Sequence, residues 1–454
     1  MGVPNGNVEK FEHTNGVEKK ENGSKVTKSK PVNVLPMGEK SSPKGIYMLS
    51  NLDQTFPYPI EILFAFEKVN NTINCVEILK ESLSKALDEF YPLAWKVDVS
   101  WDGKMMVNSN AGDCGVPFLE AFCNEEMAVT IGDDITKIDL KLADYVYSGE
   151  KPYHTILDVP ALSVQVTTFK CGGIILGVGF NHILMDGRSF ADFLIYWCQI
   201  TKKSHLSIPP HLDSSILSSR QPPKIQNSHP EYSKSKAPLI PQLTQKQIKI
   251  NKSFTFTPLN LSLLNKLAMQ NNPNFTPTAF ELISAVIWIC WTKALKLSPT
   301  KTTQILTAVD GRQKFDPPLP KPYFGNGIVW SCARSKVDDL TRAPFSFAVR
   351  IVQEAIKEVT EEYIRSAIDY HELTRKPLEQ ENTLWITKWS RLPFYEVDFM
   401  WGEPRQVAPA SLVDNLVVTL SEGNKSEKLV VSLSLPAEAM EIFEEQMELK
   451  LKLN

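Results

Sequence analysis

A polar, proline-rich segment from Ser204 to Pro241 divides this 454-residue chain into two apolar blocks of similar size. The segment is rich in Ser, Pro, Lys, His and Gln and carries two Pro-Pro pairs, so it has little apolar surface to bury. It predicts a linker or a long crossover between two folding units, which suits a chain of this length. We therefore predict an N-terminal domain over residues 34–203, a crossover over 204–250 and a C-terminal domain over 251–454.

Residues 1–33 are predicted to form a disordered tail, because nearly all of them up to about Lys30 are small or polar. The rest mixes helix and strand patterns without a regular alternation, so the predicted fold class is mixed α/β. Leu162, Val164 and Val166 alternate as in a strand. Other predicted elements are helices over 75–90 and 278–295, one long helix over 344–372, and a hairpin of strands 416–420 and 429–435.

Composition and charge narrow the classes of function. Lysine and arginine number 49 against 52 acidic residues, a formal net charge of −3, so no basic excess favours nucleic acid or an anionic membrane surface as a partner. No run approaches the roughly 20 apolar residues of a membrane span, and the seven cysteines contain no C-x-x-C pair. These features predict a soluble cytosolic protein with reduced thiols, no nucleic-acid partner and no membrane span.

His182 is the histidine best suited to catalysis, because it directly follows a long apolar run that contains glycines. Residues 172–182 predict a buried strand whose glycines permit close approach by another backbone or a ligand. The strand then turns into a helix that starts near Ser189. A histidine at the end of a buried strand, with Asp186 four residues on, can be held in one tautomer and presented to a cleft as a general base.

Other interpretations of His182 compete with this one. A lone histidine is often a core residue that is satisfied by backbone hydrogen bonds. Zinc ligation would need more donors, but the other histidines lie mainly in the predicted tail and crossover, so no metal site is predicted. A serine nucleophile would need a motif such as G-x-S-x-G, and neither this motif nor a Walker A or G-x-G-x-x-G phosphate loop is present.

Two further segments combine residue types that suit a functional site. Residues 387–402 place aromatic residues, proline, glycine and Asp398 in a stretch with no clean period, which is typical of a loop at a site or of an aromatic packing loop. Residues 309–327 run from V-D-G-R, which ends at Arg312, through a proline-rich stretch to Y-F-G-N-G. Either segment alone is compatible with a purely structural role.

These segments occur together and in order, and on them the chain resembles the plant BAHD family of acyl-CoA-dependent acyltransferases. The family signatures H-x-x-x-D-G and D-F-G-W-G correspond to His182–Gly187 and Asp398–Gly402. The V-D-G-R and Y-F-G-N-G segments lie between them, as in the family. Its early segments are matched by Leu49–Gln54 and Tyr91–Ala94. The resemblance covers about residues 34 to 451.

The sequence departs from the family pattern at three places. Met400 replaces the middle glycine of the second signature, Trp95–Lys96 replaces the usual Gly-Arg, and Asn181 replaces a frequent histidine. Asn181 is a common variant within the family. Met400 is expected to reshape its loop, and Trp95 to alter packing near the site.

The resemblance implies the fold of chloramphenicol acetyltransferase, with two mixed α/β domains and an active-site tunnel at their interface. His182 would lie in this tunnel as the general base. The resemblance also implies that Asp186 turns away from His182 and pairs with Arg312, so that Asp186 orients the site instead of transferring a proton.

The second signature and the residues before it have implied roles as well. Thr387 and Trp389 would donate hydrogen bonds to the thioester oxygen in the transition state. Asp398 is placed among the catalytic residues, as a second essential acid or as a support. Further predicted supports of the site are Gly187, Trp401 and Gly402.

The predicted function is transfer of an acyl group from acyl-CoA, a co-substrate, to a small-molecule alcohol in plant specialised or surface-lipid metabolism. Residues 44–54 most resemble those of family members that move hydroxycinnamoyl groups onto fatty or aromatic alcohols. We expect a monomer that works through a ternary complex, without an acyl-enzyme, a permanently bound cofactor or a metal. The alternatives are amide formation on an amine such as a polyamine, and a non-catalytic relative that binds or regulates.

Overall fold

Three β-sheets and the helices packed on them make up the computed structural model of this chain, which describes residues 25–38, 45–67, 75–112, 114–131, 140–204, 206, 208–234, 249–270, 272–424 and 426–451. The strands are β1 Val26–Lys28, β2 Val32–Val34, β3 Ile46–Met48, β4 Pro59–Phe66, β5 Lys96–Val99, β6 Met105–Asn108, β7 Val116–Cys123, β8 Leu162–Phe169, β9 Ile174–Asn181, β10 Ile250–Phe256, β11 Thr302–Asp310, β12 Ile328–Lys336, β13 Thr383–Lys388, β14 Gln406–Pro409, β15 Leu416–Ser421 and β16 Leu429–Leu435. The helices are α1 Cys75–Glu89, α2 Met127–Ile131, α3 Gly187–Thr201, α4 Pro258–Met269, α5 Ala279–Ala294, α6 Val337–Arg342, α7 Phe345–Glu358, α8 Glu361–Thr374 and α9 Ala437–Leu451.

The first large sheet has the strand order β1-β7-β8-β9-β4-β14, with β2 also paired to β7. Strand β9 lies between β8 and β4 and is antiparallel to both, with Val178 opposite Val164 and Ile62. Every residue of β9 is buried, as its unbroken apolar run predicts. One face of this sheet packs against α1 and α3, which contribute Leu83 and Phe190 to a common core.

The second large sheet has the order β10-β16-β15-β13-β11-β12, and a small third sheet has the order β3-β6-β5. The outer face of the second sheet packs against α4, α5, α7 and α9. Helix α5 supplies Trp288 and Trp291 to this core and begins with a capping box between Thr278 and Glu281, which satisfies its first backbone N–H groups.

The inner faces of the two large sheets share one apolar layer. Leu63 and Ile175 of the first sheet and Leu306, Trp330 and Val418 of the second belong to the same buried cluster. The molecule is therefore layered as helices, sheet, shared apolar layer, sheet and helices. A side chain that enters the shared layer contacts both halves of the chain.

Two boundaries differ from the sequence prediction. Residues 26–28 and 32–34, predicted to lie in or directly after a disordered tail, pair with β7, so the tail prediction is wrong there; residues 1–24 lie outside the described residues. Alternating valines supply the strand pattern in this otherwise polar stretch. Strand β14, from the predicted C-terminal domain, pairs with β4 of the first sheet and places Val407 opposite Phe64. The two sheets thus do not divide cleanly at residues 204–250.

The described part of the crossover is packed along the second half of the chain. Arg220 bonds to Asp369 of α8 at 2.6 Å, and His229 and Glu231 are buried. Residues 235–248 lie outside the described residues. The crossover therefore contributes to the core despite its polar composition.

The long helix predicted over 344–372 is two helices, α7 and α8. Thr360 caps α8 by accepting a hydrogen bond from the backbone N–H of Tyr363. Helix α7 ends just before this cap, at Glu358. The residues that α7 buries include Ala348, Val349 and Val352.

Candidate active site

His182 directly follows β9 and is fixed through its main chain. Its N–H donates to the carbonyl oxygen of Tyr58 at 3.1 Å, and its carbonyl oxygen accepts from Asn326 Nδ2 at 2.8 Å. The predicted role of the glycines before it is confirmed, since a Cβ at Gly177 would lie 2.0 Å from the carbonyl oxygen of Tyr145. Backbone therefore packs directly on the strand that presents His182.

The imidazole of His182 is held by aromatic rings. It stacks on Phe56 with ring centroids 4.9 Å apart and an interplanar angle of 14°, and it meets the edge of Tyr58 at 5.0 Å. Its Nδ1 is buried and has no hydrogen-bond partner. Burial lowers the pKa of His182 below its ordinary value, so the ring is neutral near pH 7 and can accept a proton.

The rings around His182 extend to the second sheet. Phe56 lies 6.1 Å from Trp330 of β12, and Tyr58 lies 6.5 Å from Trp385 of β13. Trp330 and Trp385 are 5.8 Å apart, which closes a circuit of five rings that includes His182. The histidine thus lies where the two sheets meet, and nothing in sequence spacing marks these four aromatic residues as its neighbours.

Asp186 points away from His182 and caps α3. Its Oδ1 accepts hydrogen bonds from the backbone N–H groups of Arg188 and Ser189. The two carboxylate oxygens also accept from the guanidinium of Arg312 at 2.8 and 2.9 Å. Burial alone would raise the pKa of Asp186, but the charge and hydrogen bonds of Arg312 outweigh burial and hold this pKa below its ordinary value. The geometry suits an orienting role.

Arg312 connects Asp186 to the Y-F-G-N-G segment. It also donates to Ser189 Oγ at 2.9 Å and to the carbonyl oxygen of Gly325 at 3.1 Å. Gly327 donates its N–H to Asp186 at 2.9 Å, and a Cβ there would lie 2.7 Å from a guanidinium nitrogen of Arg312. The segment therefore needs glycine at position 327 for the ion pair to form.

Gly187 begins α3 beside the ion pair. A Cβ at this position would lie 2.6 Å from a methyl carbon of Leu392, which follows the turn that contains Trp389. The absence of a side chain at Gly187 lets this turn approach the helix that follows His182.

Thr387 and Trp389 lie at the end of β13. Trp385 belongs to the apolar layer between the two large sheets, and Ile386 belongs to the core between the second sheet and its helices. Because side chains alternate along a strand, Thr387 faces the layer between the sheets, as Trp385 does. Trp389 packs against this layer and also against the core between the first sheet and helices α1 and α3. It lines a cavity together with Pro59 and Glu61 from the first sheet and Val418 from the second. Both residues therefore lie at the junction of the sheets.

Asp398 lies in a loop of its own, where its contacts suit the predicted role of a support more than that of a second essential acid. It bonds to Lys202 Nζ at 2.7 Å, and Lys202 is the residue that ends α3, whereas Asp186 precedes the same helix. A helix of 15 residues is about 22 Å long, so Asp398 is far from the His182 end of α3. It instead accepts the N–H of Gly402 at 2.9 Å and closes its own loop.

Trp401 and Phe399 attach this loop to the first half of the chain. Trp401 packs against Phe66 of β4 at 5.1 Å, and Phe399 packs against Trp197 of α3 at 4.8 Å. Gly402 has a φ of +84°, a conformation that glycine adopts at little cost. The predicted support by Trp401 and Gly402 therefore acts on the packing of this loop, remote from the imidazole.

Residues 24–450 match the model of the Transferase family. The chain belongs to the BAHD family. It is 40% identical over 430 residues to the omega-hydroxypalmitate O-feruloyl transferase of Arabidopsis thaliana, covering 93% of this chain and 92% of that protein. It is 36% identical over 432 residues to the fatty alcohol:caffeoyl-CoA acyltransferase of the same plant, covering 93% and 98%. This BAHD member is thus an acyltransferase.

Solved structures share the fold of this BAHD chain. Vinorine synthase superposes with a TM-score of 0.72 at 22% identity, over 92% of this chain and 96% of its own. TRI101 of F. graminearum, solved with coenzyme A and deoxynivalenol, superposes with a TM-score of 0.68 at 15% identity, over 87% and 96%. The fold is the two-domain mixed α/β fold of such acyltransferases.

The departures from the BAHD pattern have structural explanations. Met400 has a φ of +72°, the left-handed region that the usual glycine adopts freely, and its side chain is exposed. Trp95 is buried in the first core beside Tyr91, with ring centroids 4.7 Å apart.

No helix within the described residues is long and apolar enough to cross a membrane. Those residues also contain no group of three or more His, Cys, Asp and Glu side chains placed to hold a metal ion.

Proposed function

We propose that this chain is an acyl-CoA-dependent O-acyltransferase that moves a hydroxycinnamoyl-type group from CoA to an aliphatic alcohol. The observation that carries the proposal is the buried imidazole of His182, whose Nδ1 has no hydrogen-bond partner, within a circuit of aromatic rings at the junction of the two sheets. The relatives support the choice of substrates, since one is named for feruloyl transfer to omega-hydroxypalmitate and another for a fatty alcohol and caffeoyl-CoA. The TRI101 structures with coenzyme A support CoA as the carrier.

The proposed reaction is a direct transfer within a ternary complex. The hydroxyl oxygen of the acceptor attacks the carbonyl carbon of the thioester while His182 takes the hydroxyl proton. The tetrahedral intermediate collapses, the C–S bond breaks, and His182 returns the proton to the CoA thiolate. The products are the ester and CoA, and no acyl-enzyme forms.

Thr387 and Trp389 are proposed to stabilise the oxyanion of this intermediate by donating hydrogen bonds from a hydroxyl and an indole N–H. Their place at the junction of the sheets supports this role. Losing one such donor typically costs a factor of about 10²–10³ in kcat. We expect Trp389→Phe to lower kcat by about that factor, and an unchanged kcat would exclude the indole from the role.

The proposal is tested by measuring CoA release and ester formation with a panel of acyl-CoA donors and acceptors. We expect feruloyl-CoA or caffeoyl-CoA with a long-chain alcohol or omega-hydroxy fatty acid to give the ester, identified by mass spectrometry. His182→Ala should lower the rate roughly 10²–10⁴-fold while it leaves the fold intact. His154→Ala, which changes an exposed histidine, is the control.

The two alternative functions predict other outcomes of this panel. A cationic acceptor such as a polyamine would be bound best by a free acidic group, but Glu61, the carboxylate that lines the cavity beside Trp389, bonds to Lys151 at 2.6 Å and to Ser148 at 2.5 Å. This pairing favours an alcohol over an amine. Products formed only with amines would overturn the O-acyl proposal, and no CoA release with any donor would indicate a non-catalytic relative.

A further inference from the structure

We propose that Asn326 and Asp53 are positioning residues that fix the main chain of His182 for acyl transfer. The inference rests on the proposed role of His182 as general base. It assigns a role to two residues, one from each half of the chain, that act on His182 through its main-chain carbonyl oxygen.

Asn326 links the two other residues through a single amide group. Its Nδ2 donates to the carbonyl oxygen of His182 at 2.8 Å and to Asp53 Oδ1 at 2.8 Å. Its backbone N–H donates to the same oxygen of Asp53 at 2.7 Å. Asn326 is fully buried, so no solvent competes for these hydrogen bonds.

Asp53 is fixed by hydrogen bonds from the start of its own turn. Its Oδ2 accepts the backbone N–H and the hydroxyl of Ser50, both at 2.7 Å, and the side chain is buried. Four accepted hydrogen bonds suit an ionised carboxylate, which only accepts. Burial raises the pKa of Asp53 to about 6, so the carboxylate is ionised at neutral pH despite its burial.

The same turn also supplies the ring on which His182 stacks. Phe56 directly follows the 3-10 turn Asp53–Thr55, and its N–H donates to the carbonyl oxygen of Asp53. The position of Asp53 therefore sets both the stacked ring of Phe56 and the amide of Asn326. Through these two contacts the turn controls the ring and the main chain of His182 together.

This support matters because a carboxylate does not orient His182. Asp186 is directed to Arg312, and His182 Nδ1 has no partner. In a catalytic triad a carboxylate would hold the ring through Nδ1. Here the reach of the imidazole toward a substrate depends on stacking and on main-chain anchors, and a displacement of about 1 Å can cost roughly 100-fold in rate.

Asn51 provides a matched control for the test. Its Nδ2 also donates to a backbone carbonyl, that of Ile368, at 3.0 Å and to a carboxylate, that of Glu372, at 2.8 Å. It is buried and joins the first half of the chain to α8. It thus repeats the chemistry of Asn326 without a contact to His182.

The experiment compares Asn326→Ala with Asn51→Ala in the full-length enzyme, at a temperature where circular dichroism shows both variants folded. We expect Asn326→Ala to lower kcat by about 10–100-fold with less than a twofold change in the KM for acyl-CoA. Asn51→Ala should change kcat less than about threefold. Equal losses of kcat in the two variants would overturn the proposal, because both would then act only through stability.

A milder variant covers the case in which Asn326→Ala does not fold. Ser50→Ala removes only the hydroxyl that donates to Asp53. We expect it to lower kcat by a few-fold at a temperature where circular dichroism shows the variant folded, and an unchanged kcat would contradict the role of Asp53.

A second measurement separates this proposal from the proposed activity. Diethyl pyrocarbonate modifies neutral imidazole, and mass spectrometry of the peptide that contains His182 gives the rate at this residue. We expect the rate to change in Asn326→Ala and not in Asn51→Ala, whether or not acyl transfer is detected. A wild-type chain without transferase activity would refute the proposed function, whereas equal modification rates in the two variants would refute the positioning role.

Discussion

Asp186 and Arg312 form a buried ion pair whose loss should act on stability. Asp186→Asn would leave the guanidinium of Arg312 as a buried charge with only Asp310 as an acidic partner. Breaking such a pair typically costs about 3–5 kcal/mol, and we expect this loss in the free energy of unfolding measured with urea. Asp192→Asn is the control, because its pair with Arg188 is partly exposed and is worth about 0–1 kcal/mol. Unchanged stability with lost activity would instead give Asp186 a direct part in proton transfer.

His371 should make the stability of the fold depend on pH. Burial, followed by the charges of Arg375 and Lys104, lowers the pKa of His371 to about 4, and Glu372 opposes this shift only in part. The unfolded chain takes up the proton near pH 6.5, so stability from the neutral ring is complete above that pH and is lost as the pH falls toward 4. This shift corresponds to about 3 kcal/mol.

The measurement is the free energy of unfolding of His371→Gln and wild type between pH 4 and pH 7. We expect the variant to lose less stability than wild type across this range. His154→Gln, at an exposed site, should keep the wild-type slope. If the free energy of unfolding of His371→Gln depends on pH as that of wild type does, the buried imidazole is not the source of this dependence.

Single residues differ in how far the sequence reveals their roles. His182 directly follows an apolar run that predicts a buried strand, and Asp186 lies four residues further on. Both features are local in the sequence, so the sequence alone indicates their importance. Asn326 and Asp53 lie 273 positions apart, and only the folded topology brings them to His182. For Asp398 the motif position leaves two roles open, a second essential acid or a support, and its bond to Lys202 at the far end of α3 favours the support.

At the scale of elements, the loop that contains Met400 carries conformational strain. A residue with a Cβ pays roughly 1–2 kcal/mol in the left-handed region, and Met400 is 55% exposed, so little packing compensates. Glycine adds about 0.5–1 kcal/mol of chain entropy to the unfolded state. We expect Met400→Gly to raise the free energy of unfolding by about 0.5–1 kcal/mol, as measured by thermal or urea unfolding.

Met400→Ala is the matched control for this loop. Alanine keeps the Cβ and therefore the strain, so we expect no gain in stability. If both variants stabilise the protein equally, the methionine side chain and not its φ angle would be the cause.

Elements with strong local signals were predicted well, and the exceptions have local causes. The strands of the hairpin that joins β15 and β16, and helices α1 and α5, agree with the predicted ranges to within a residue or two. The break between α7 and α8 depends on the cap at Thr360, a short signal inside an apolar pattern that continues across it. The strands β1 and β2 need a partner, β7, that lies about 90 residues away.

At the scale of the whole molecule, the two halves should unfold together. Val407 of β14 is buried in the first core although it comes from the second half of the chain. Val407→Asp would bury an unpaired charge and should cost about 3–5 kcal/mol. We expect one transition in urea, with coincident fluorescence and circular dichroism curves, shifted as a unit in the variant.

Glu403→Ala, an exposed change just before β14, should leave the transition in place. Two separated transitions, of which Val407→Asp moves only one, would contradict this cooperative picture. They would show that the shared apolar layer does not couple the sheets.

The return of β14 to the first sheet limits how relatives of this enzyme can be recombined. A chimera joined within the crossover would combine a first sheet from one parent with an edge strand, and with the Trp401 and Phe399 contacts, from the other. Such a hybrid would carry mismatched packing beneath α3 even if both parents were stable. Exchange of substrate preference between relatives therefore calls for three-part grafts, in which residues 394–409 travel with the N-terminal half.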